Sequence, residues 1–290
     1  SAPFAFVVFY AGLQTLPMQA ASKNLVPVTL ELGGKSPVIL GRSAKLDLAG
    51  TRLTFGKLLN GGQLCLSPDY VLVPQELEEQ LVARVVHEAQ SMYPNITEND
   101  DYAGVINERH FARLQNYIDD AVAKGAKLTI VGADQTRASE NNRRMPLHIL
   151  QNVNEDMLVM HEEIFGPILP VMTYSDITEV PDQVEPRRNP LALYYFGKDK
   201  TEQEYLLSHV PSGGVCINDI TLHYVQEDLP FGGVGASGMG AYHGPEGFKT
   251  LSHPRAIYSQ TMIDVLPIIG ARPPFGEKFR KKISGILGAI

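Results

Sequence analysis

Two residues in this sequence combine the side chains and the surroundings that covalent catalysis requires. Cys65 follows the run Gly61-Gly62-Gln63-Leu64, and Glu31 stands among apolar residues. A thiol is a nucleophile only as thiolate, and a glycine pair lets backbone N–H groups approach a developing oxyanion. A carboxylate between apolar segments suits a general base, because burial raises its pKa towards neutrality.

Each of these residues also has a purely structural interpretation, which the local sequence leaves open. Cys65 fits a small buried hydrophobic residue, as most free cysteines are. Glu31 fits a structural ion pair with the nearby Lys35. Cys216 has apolar neighbours on both sides, and we interpret it as a core residue.

The composition excludes several classes of protein. Of the 290 residues, 44% are hydrophobic and 20% are charged, which is typical of a globular chain and not of a disordered one. The net charge of −7 gives no reason to expect a nucleic-acid partner. Two cysteines argue against a disulfide-stapled secreted scaffold and favour a reducing, cytoplasmic setting. The histidines have no metal-ligand spacing, so we expect no metal site.

The spacing of apolar residues predicts an α/β fold with a mainly parallel sheet. A residue on one face every three or four positions predicts helices over 77–92 and 107–124. Short apolar runs predict strands at 27–30, 37–40, 70–73, 128–131, 168–174, 191–196 and 214–218. The polar segment 132–146 is interpreted as a loop or hairpin insertion, and the glycine-rich segment 229–247 as a long ordered loop.

The two ends of the chain need separate interpretation. The apolar stretch 3–13 lacks the preceding basic residues of a signal peptide, and we interpret it as part of a buried strand and its turn. Because the sequence starts in mid-strand, we expect it to be a truncated form. The tail over 275–290 is basic, with apolar residues at helical spacing. A helix docked on its own protein or on a partner subunit is favoured there over a membrane-surface helix.

Taken together, three stretches resemble the aldehyde dehydrogenase superfamily. They are Val28-Thr29-Leu30-Glu31-Leu32-Gly33-Gly34-Lys35-Ser36-Pro37, then Gly62-Gln63-Leu64-Cys65, then Glu163-Ile164-Phe165-Gly166-Pro167, in the family's order and with near-family gaps. The segment from Leu229 to Gly244 is similar to the class 3 and coniferyl-aldehyde branch. The resemblance extends from about Phe4 into the tail.

The resemblance implies oxidation of an aldehyde, of the aromatic coniferyl type, to the carboxylic acid with NAD or NADP. Cys65 would be the nucleophile that forms a thiohemiacetal and then a thioester. Glu31 would be the base that activates the hydrolytic water. Four residues would contact the cofactor: Leu32, Gly33, Glu163 and Phe165. The Glu163 carboxylate would orient the nicotinamide ribose.

The same resemblance implies an organisation in three parts. Residues 1–32 would be the C-terminal remnant of a Rossmann-like dinucleotide-binding domain, 33–247 the catalytic domain, and 248–290 a segment for interdomain and oligomerisation contacts. Roughly the N-terminal third of a family member would precede Ser1, and the family's Gly-Ser-Thr turn is replaced by Phe9-Tyr10-Ala11-Gly12. We therefore expect no measurable NAD affinity for this chain alone. The partners would be a small aldehyde and a second copy, as a homodimer.

Two other functions stay open at this point. One is a cofactor-independent thiol esterase, in which Cys65 is acylated and Glu31 promotes deacylation. The other is a non-catalytic remnant that serves as a subunit surface.

Overall fold

The secondary structure is given by a computed structural model, which describes residues 5–8, 15–132, 143–187 and 189–288. Its strands are β1 Ala5–Val8, β2 Val28–Glu31, β3 Pro37–Leu40, β4 Tyr70–Pro74, β5 Lys127–Val131, β6 Leu147–Gln151, β7 Ile168–Tyr174, β8 Ala192–Phe196, β9 Gly214–Ile217 and β10 Gly238–Met239. Its helices are α1 Thr15–Ser22, α2 Leu46–Leu58, α3 Glu78–Met92, α4 Glu108–Ala123, α5 Val180–Val184, α6 Lys200–His209, α7 Gly244–Thr250, α8 Val265–Ile268 and α9 Glu277–Leu287. The expected turn at Phe9–Gly12 and residues 133–142 of the expected insertion lie outside the described residues.

A seven-stranded sheet forms the centre of the molecule, with the order β5-β6-β7-β4-β3-β8-β9. The β5–β6 pair is antiparallel, and every other neighbouring pair is parallel. Strands β3 and β4 are buried along their whole length, as expected for parallel strands covered on both faces. The predicted α/β fold with a mainly parallel sheet is therefore confirmed.

Two hydrophobic clusters cover the two faces of this sheet. Successive side chains of a strand point to opposite faces, so Val38 and Leu40 of β3 join one cluster and Ile39 joins the other. The first cluster contains the apolar stripes of α2 and α3, and the second contains that of α4. The helices predicted from their periodicity are thus the ones that bury the sheet.

A smaller sheet carries one of the candidate catalytic residues. Strand β2 pairs with β1 in parallel and with β10 in antiparallel orientation, so that Gly238 lies opposite Glu31. A side chain at position 238 could not be accommodated, because its Cβ would lie 2.3 Å from the carbonyl oxygen of Leu30. The glycine therefore lets the two backbones approach, and β2 ends at Glu31.

Several elements differ from the prediction. Helix α1 and strand β6 were not predicted, and the segment 229–247 contains β10 and the start of α7 in addition to loop. In β6, the polar residues His148 and Gln151 interrupt the apolar pattern, yet both are buried. His148 is accommodated because its Nδ1 donates to the carbonyl oxygen of Pro146 over 2.7 Å.

The chain divides into two compact units, Ser1–Leu251 and Ser252–Ile290. The second unit contains α8 and α9. The rings of Phe275 and Phe279 stack in this unit, with their centroids 4.5 Å apart. The predicted tail helix is confirmed as α9. Over the described residues, we find no helix with the length and apolar character that crossing a membrane requires.

Candidate active site

The Glu31 carboxylate is buried without a hydrogen-bond partner. The residue is 6% exposed, and neither carboxylate oxygen is bonded to any of the described residues. Its backbone is fixed on both sides, by β2 and by the bond from the Leu32 N–H to the carbonyl oxygen of Ser237 over 3.1 Å. Burial raises the pKa of Glu31 to about 7. A carboxylate with this pKa can accept and release a proton near neutral pH.

The Cys65 thiol lies on a tight loop between α2 and β4. Asn60, Gly61 and Gly62 all have left-handed backbone conformations, with φ of 51°, 61° and 73°. The Gln63 side chain ties the loop down, because its Oε1 accepts from the Ile106 N–H over 2.9 Å. Cys65 itself is exposed. The backbone N–H groups of Cys65 and Leu66 are directed at the sulfur, where they favour a negative charge.

The segment 163–167 places the Glu163 carboxylate against the turn that follows Glu31. A Cβ at Gly33, which has a φ of +87°, would lie 2.6 Å from Oε2 of Glu163. The Gly34 N–H donates to the same carboxylate. Burial and the neighbouring Asp69 raise the pKa of Glu163 to about 8 in spite of that bond. Phe165 is half-buried, and Leu32 is buried.

The charges of two of these segments act on the thiol. The surrounding protein desolvates the sulfur, although the residue has an exposed face, and this raises the pKa of Cys65 to about 11, with the charges of Glu163 and then Glu31 contributing to the increase. The group is therefore a thiol at neutral pH and needs a base before it can act as a nucleophile. Glu31 is a carboxylate whose charge acts on this thiol. The structure also holds the Glu163 carboxylate against Gly33 and Gly34, which follow Glu31 in the chain.

The alternative ion pair between Glu31 and Lys35 is wrong. Lys35 pairs with Asp69, and both side chains are 4% exposed. The pairing was missed because Asp69 is distant in sequence, although an acid directly before a fully apolar strand was a signal. Cys216 is buried, as predicted, and the described residues contain no cluster of His, Cys, Asp and Glu that could hold a metal ion.

Two tyrosines near the thiol were also missed by the sequence analysis. The Tyr194 hydroxyl donates to the carbonyl oxygen of Leu66 over 2.7 Å, which fixes the residue after Cys65. Tyr242 packs edge-on against Phe231, with ring centroids 5.4 Å apart. Burial raises the pKa of Tyr242, and the charges of Tyr224, Glu31 and Cys65 add to the increase.

The close approach of Gly62 to the Glu163 segment gives a first prediction. A Cβ at Gly62 would lie 2.5 Å from the carbonyl oxygen of Gly166, whereas a Cβ at Gly125 would meet nothing within 4 Å. Both glycines have positive φ, so each alanine variant carries a backbone cost of about 1–2 kcal/mol. We expect Gly62→Ala to lower the free energy of unfolding in urea clearly more than Gly125→Ala.

The same pair of variants separates stability from the site. Gly62→Ala should also change the rate at which iodoacetamide alkylates Cys65, and Gly125→Ala should not. Equal effects of the two variants on both measurements would show that the contact with Gly166 does not hold the loop.

Comparisons with known proteins found a matching family. The model of the aldehyde dehydrogenase family matches residues 12–257. A probable coniferyl aldehyde dehydrogenase of Caulobacter vibrioides is 48% identical over 269 residues, which cover 92% of this chain and 56% of that protein. The coniferyl aldehyde dehydrogenase of Pseudomonas sp. strain HR199 is 43% identical, over 98% of this chain and 60% of that protein.

A solved structure gives the same result for the fold. The substrate-bound state of Staphylococcus aureus AldH superimposes with a TM-score of 0.86 at 36% identity, covering 98% of this chain and 61% of that one. The chain spans between about half and three fifths of the length of the curated relatives it matches.

Proposed function

The chain belongs to the aldehyde dehydrogenase family, and on that premise we propose that it oxidises an aldehyde to the carboxylic acid with a nicotinamide cofactor. The observation that carries the proposal is the buried, unpartnered Glu31 carboxylate, whose charge acts on the exposed Cys65 thiol. A buried carboxylate without partners is costly for a fold, and chemistry at the thiol gives it a use.

Cys65 and Glu31 divide the work of the reaction. Glu31 takes the thiol proton, and the sulfur bonds to the aldehyde carbonyl carbon while the carbonyl π electrons move to oxygen. The backbone N–H groups that are directed at the sulfur favour negative charge at this point. The former carbonyl carbon would then lose hydride to a bound nicotinamide cofactor while the carbonyl double bond re-forms, which leaves the acyl group on sulfur as a thioester, and Glu31 releases the thiol proton to solvent. Glu31 then removes a proton from water, the water oxygen attacks the acyl carbon, and the sulfur leaves.

The residues around Glu163 fit the ribose end of a nicotinamide cofactor. A carboxylate is the group that accepts hydrogen bonds from ribose hydroxyls, and Glu163 is held rigidly against Gly33 and Gly34. Phe165, Leu32 and Gly33 would line the same side of the site. When bound, NAD or NADP supplies the hydride acceptor.

We propose an aromatic aldehyde of the coniferyl type as the substrate. Two of the relatives carry coniferyl aldehyde in their names. In this chain, Tyr194, Phe231 and Tyr242 place aromatic rings near the thiol or near its tyrosine neighbour. Aromatic side chains pack well against a planar substrate ring.

Benzaldehyde offers a test of aldehyde capture by this chain. Because formation of a thiohemiacetal occupies the sulfur, we expect benzaldehyde to slow the alkylation of Cys65 by iodoacetamide in a concentration-dependent way. Benzyl alcohol, which has no carbonyl group, is the matched control and should have no effect. The reaction is followed for each cysteine-containing peptide by mass spectrometry, with Cys216 as the internal reference. An alkylation rate of Cys65 that is insensitive to benzaldehyde would contradict the proposal.

A thiol esterase is the second candidate, because the same thiol and carboxylate suffice for acylation and deacylation without a cofactor. Absorbance of reduced nicotinamide in the presence of benzaldehyde distinguishes the two. Its appearance supports the dehydrogenase and would overturn the expectation that this chain alone has no measurable NAD affinity. Ester hydrolysis without any protection of Cys65 by benzaldehyde supports the esterase.

We also propose the division of the chain into a dinucleotide-binding part over 1–32, a catalytic part over 33–247 and a contact segment over 248–290. A homodimer in the cytoplasm is part of this proposal. The homodimer is supported by apolar side chains that are exposed in the Ser252–Ile290 unit, such as Ile257 at 79% and Tyr258 at 82%. Two free cysteines agree with a reducing compartment.

A further inference from the structure

The backbone around Glu163 is held by three side chains from other elements. Lys35 Nζ donates to the carbonyl oxygen of Glu162 over 3.0 Å and to that of Val159 over 2.9 Å. Asp69 Oδ1 accepts from the Ile164 N–H over 2.8 Å. The peptide groups on both sides of Glu163 are therefore bonded to a single buried ion pair.

Arg113 of α4 completes this arrangement from the opposite side. Its guanidinium donates to the carbonyl oxygen of Ile164 over 2.7 Å and to that of Glu163 over 3.4 Å. The planar fork of an arginine is suited to two neighbouring carbonyl groups, and a lysine in its place would make fewer directed bonds. We call Lys35, Asp69 and Arg113 the clamp.

Lys35 and Asp69 make almost all of their hydrogen bonds with each other and with the backbone of the segment 159–164. An ammonium has three protons, and those of Lys35 go to Asp69, Val159 and Glu162. Burying such a pair is expensive, and a surface pair could bind a loop at lower cost. This desolvation cost is explained if the backbone around Glu163 must be held in one position.

The residues directly before Lys35 also contact the side chain of Glu163. Lys35 directly follows Gly34, whose N–H donates to the Glu163 carboxylate, and Gly33 packs against that carboxylate. Backbone and side chain of Glu163 are thus held from one short segment.

We propose that Lys35, Asp69 and Arg113 are positioning residues that fix the Glu163 carboxylate beside Cys65 and toward the nicotinamide cofactor. The orientation toward the cofactor rests on the proposed function. The position of the carboxylate beside the thiol does not, and it can be measured in this chain without a cofactor.

The pH dependence of Cys65 alkylation reports where the Glu163 carboxylate lies, because its charge raises the pKa of the thiol. Glu163→Gln should lower the apparent pKa of Cys65 by about half a unit to one unit. Two variants open the clamp: Arg113→Lys, and the double variant Lys35→Met with Asp69→Asn, which removes both members of the ion pair together. Each should lower the thiol pKa in the same direction. In either clamp variant, adding Glu163→Gln should then lower the pKa of Cys65 by less than half as much as it does in the parent chain.

Hydrogen exchange gives a second readout that does not depend on the thiol. Arg113→Lys should speed exchange of the amides in peptides that cover residues 159–167 by about tenfold or more, with the central sheet unchanged. Arg144→Lys is the matched control, because Arg144 also donates to a backbone carbonyl group, that of Tyr102, and to a carboxylate, that of Asp100. It should leave both readouts as in the parent chain.

The inference is overturned if Glu163→Gln keeps its full effect in the clamp variants and their exchange is unaltered. It is overturned as well if Glu163→Gln does not shift the thiol pKa. Should the double variant fail to fold, Arg113→Lys alone decides. Failure of the proposed function is a separate result, because benzaldehyde protection of Cys65 does not involve the clamp.

Discussion

Replacing Cys65 by serine is expected to abolish the hydrolysis of 4-nitrophenyl acetate by this chain. A serine hydroxyl at the same position is far less acidic than the thiol, and Glu31, with a pKa of about 7, is too weak a base to ionise it. Removal of a covalent nucleophile costs orders of magnitude in rate, and we expect a fall of at least about a thousandfold. Release of 4-nitrophenolate measures it directly.

Cys216→Ser provides the control for this result. Cys216 is 8% exposed and packs in the hydrophobic cluster on one face of the central sheet. Its replacement should cost some stability and leave the rate per folded molecule unchanged. If Cys65→Ser keeps a substantial fraction of the parent activity, Cys65 is not the nucleophile.

Replacing Glu31 by glutamine is expected to stop turnover after the first acylation. Without the base that activates water, the thioester accumulates and the steady-state rate falls by about 10²–10⁴-fold. The first equivalent of 4-nitrophenolate still appears, but more slowly than in the parent chain, because Glu31 also takes the proton of the thiol. In the parent chain the steady-state rate should rise with pH through about 7, because Glu31 acts as a base only when it has lost its proton. The variant should lose this dependence.

The same substitution should make the fold more stable at alkaline pH. The pKa of Glu31 is raised by burial from 4.5 to about 7, so the folded state holds the proton more tightly than the unfolded state does. The resulting stability is present below pH 4.5 and is lost as the pH rises through about 7. Glu31→Gln avoids that loss and should raise the free energy of unfolding at about pH 8 by up to about 3 kcal/mol.

Urea unfolding at about pH 8 and at about pH 4 tests this sign, because the gain of the variant should disappear at the lower pH. Glu227→Gln is the matched control, since Glu227 is exposed and its neutralisation removes no buried charge. A Glu31→Gln variant that is no more stable than the parent at about pH 8 would show that burial of the charged Glu31 carboxylate does not destabilise the fold.

Local pattern was enough to predict much of this molecule. Strands such as β3 and β4 are short apolar runs, and α3 and α4 repeat apolar residues at helical spacing, so each element reveals its buried face by itself. Cys65 and Glu31 were singled out because their immediate neighbours are unusual for their types. Such signals are contained within a few residues of chain.

The rest depends on partners that are distant in sequence. The bond between Lys35 and Asp69 and the contacts of Arg113 with residues 163 and 164 appear only after the chain has folded. Nothing beside Lys35 distinguishes Asp69 from the nearer Glu31 as its partner, and so the local ion pair was a reasonable but wrong alternative. The polar residues of β6 likewise conceal a buried strand, because only pairing with β5 and β7 makes their burial possible.

The antiparallel pairing of β2 with β10 has a consequence for synthesis on the ribosome. Glu31 emerges well before Ser237 and Gly238, which close over its backbone and lie near the end of the Ser1–Leu251 unit. Until then the nascent polypeptide carries an ordinary hydrated carboxylate, and contacts this far apart in sequence form slowly. The raised pKa of the Glu31 carboxylate is therefore acquired late in biogenesis, only after these distant segments of the chain have met.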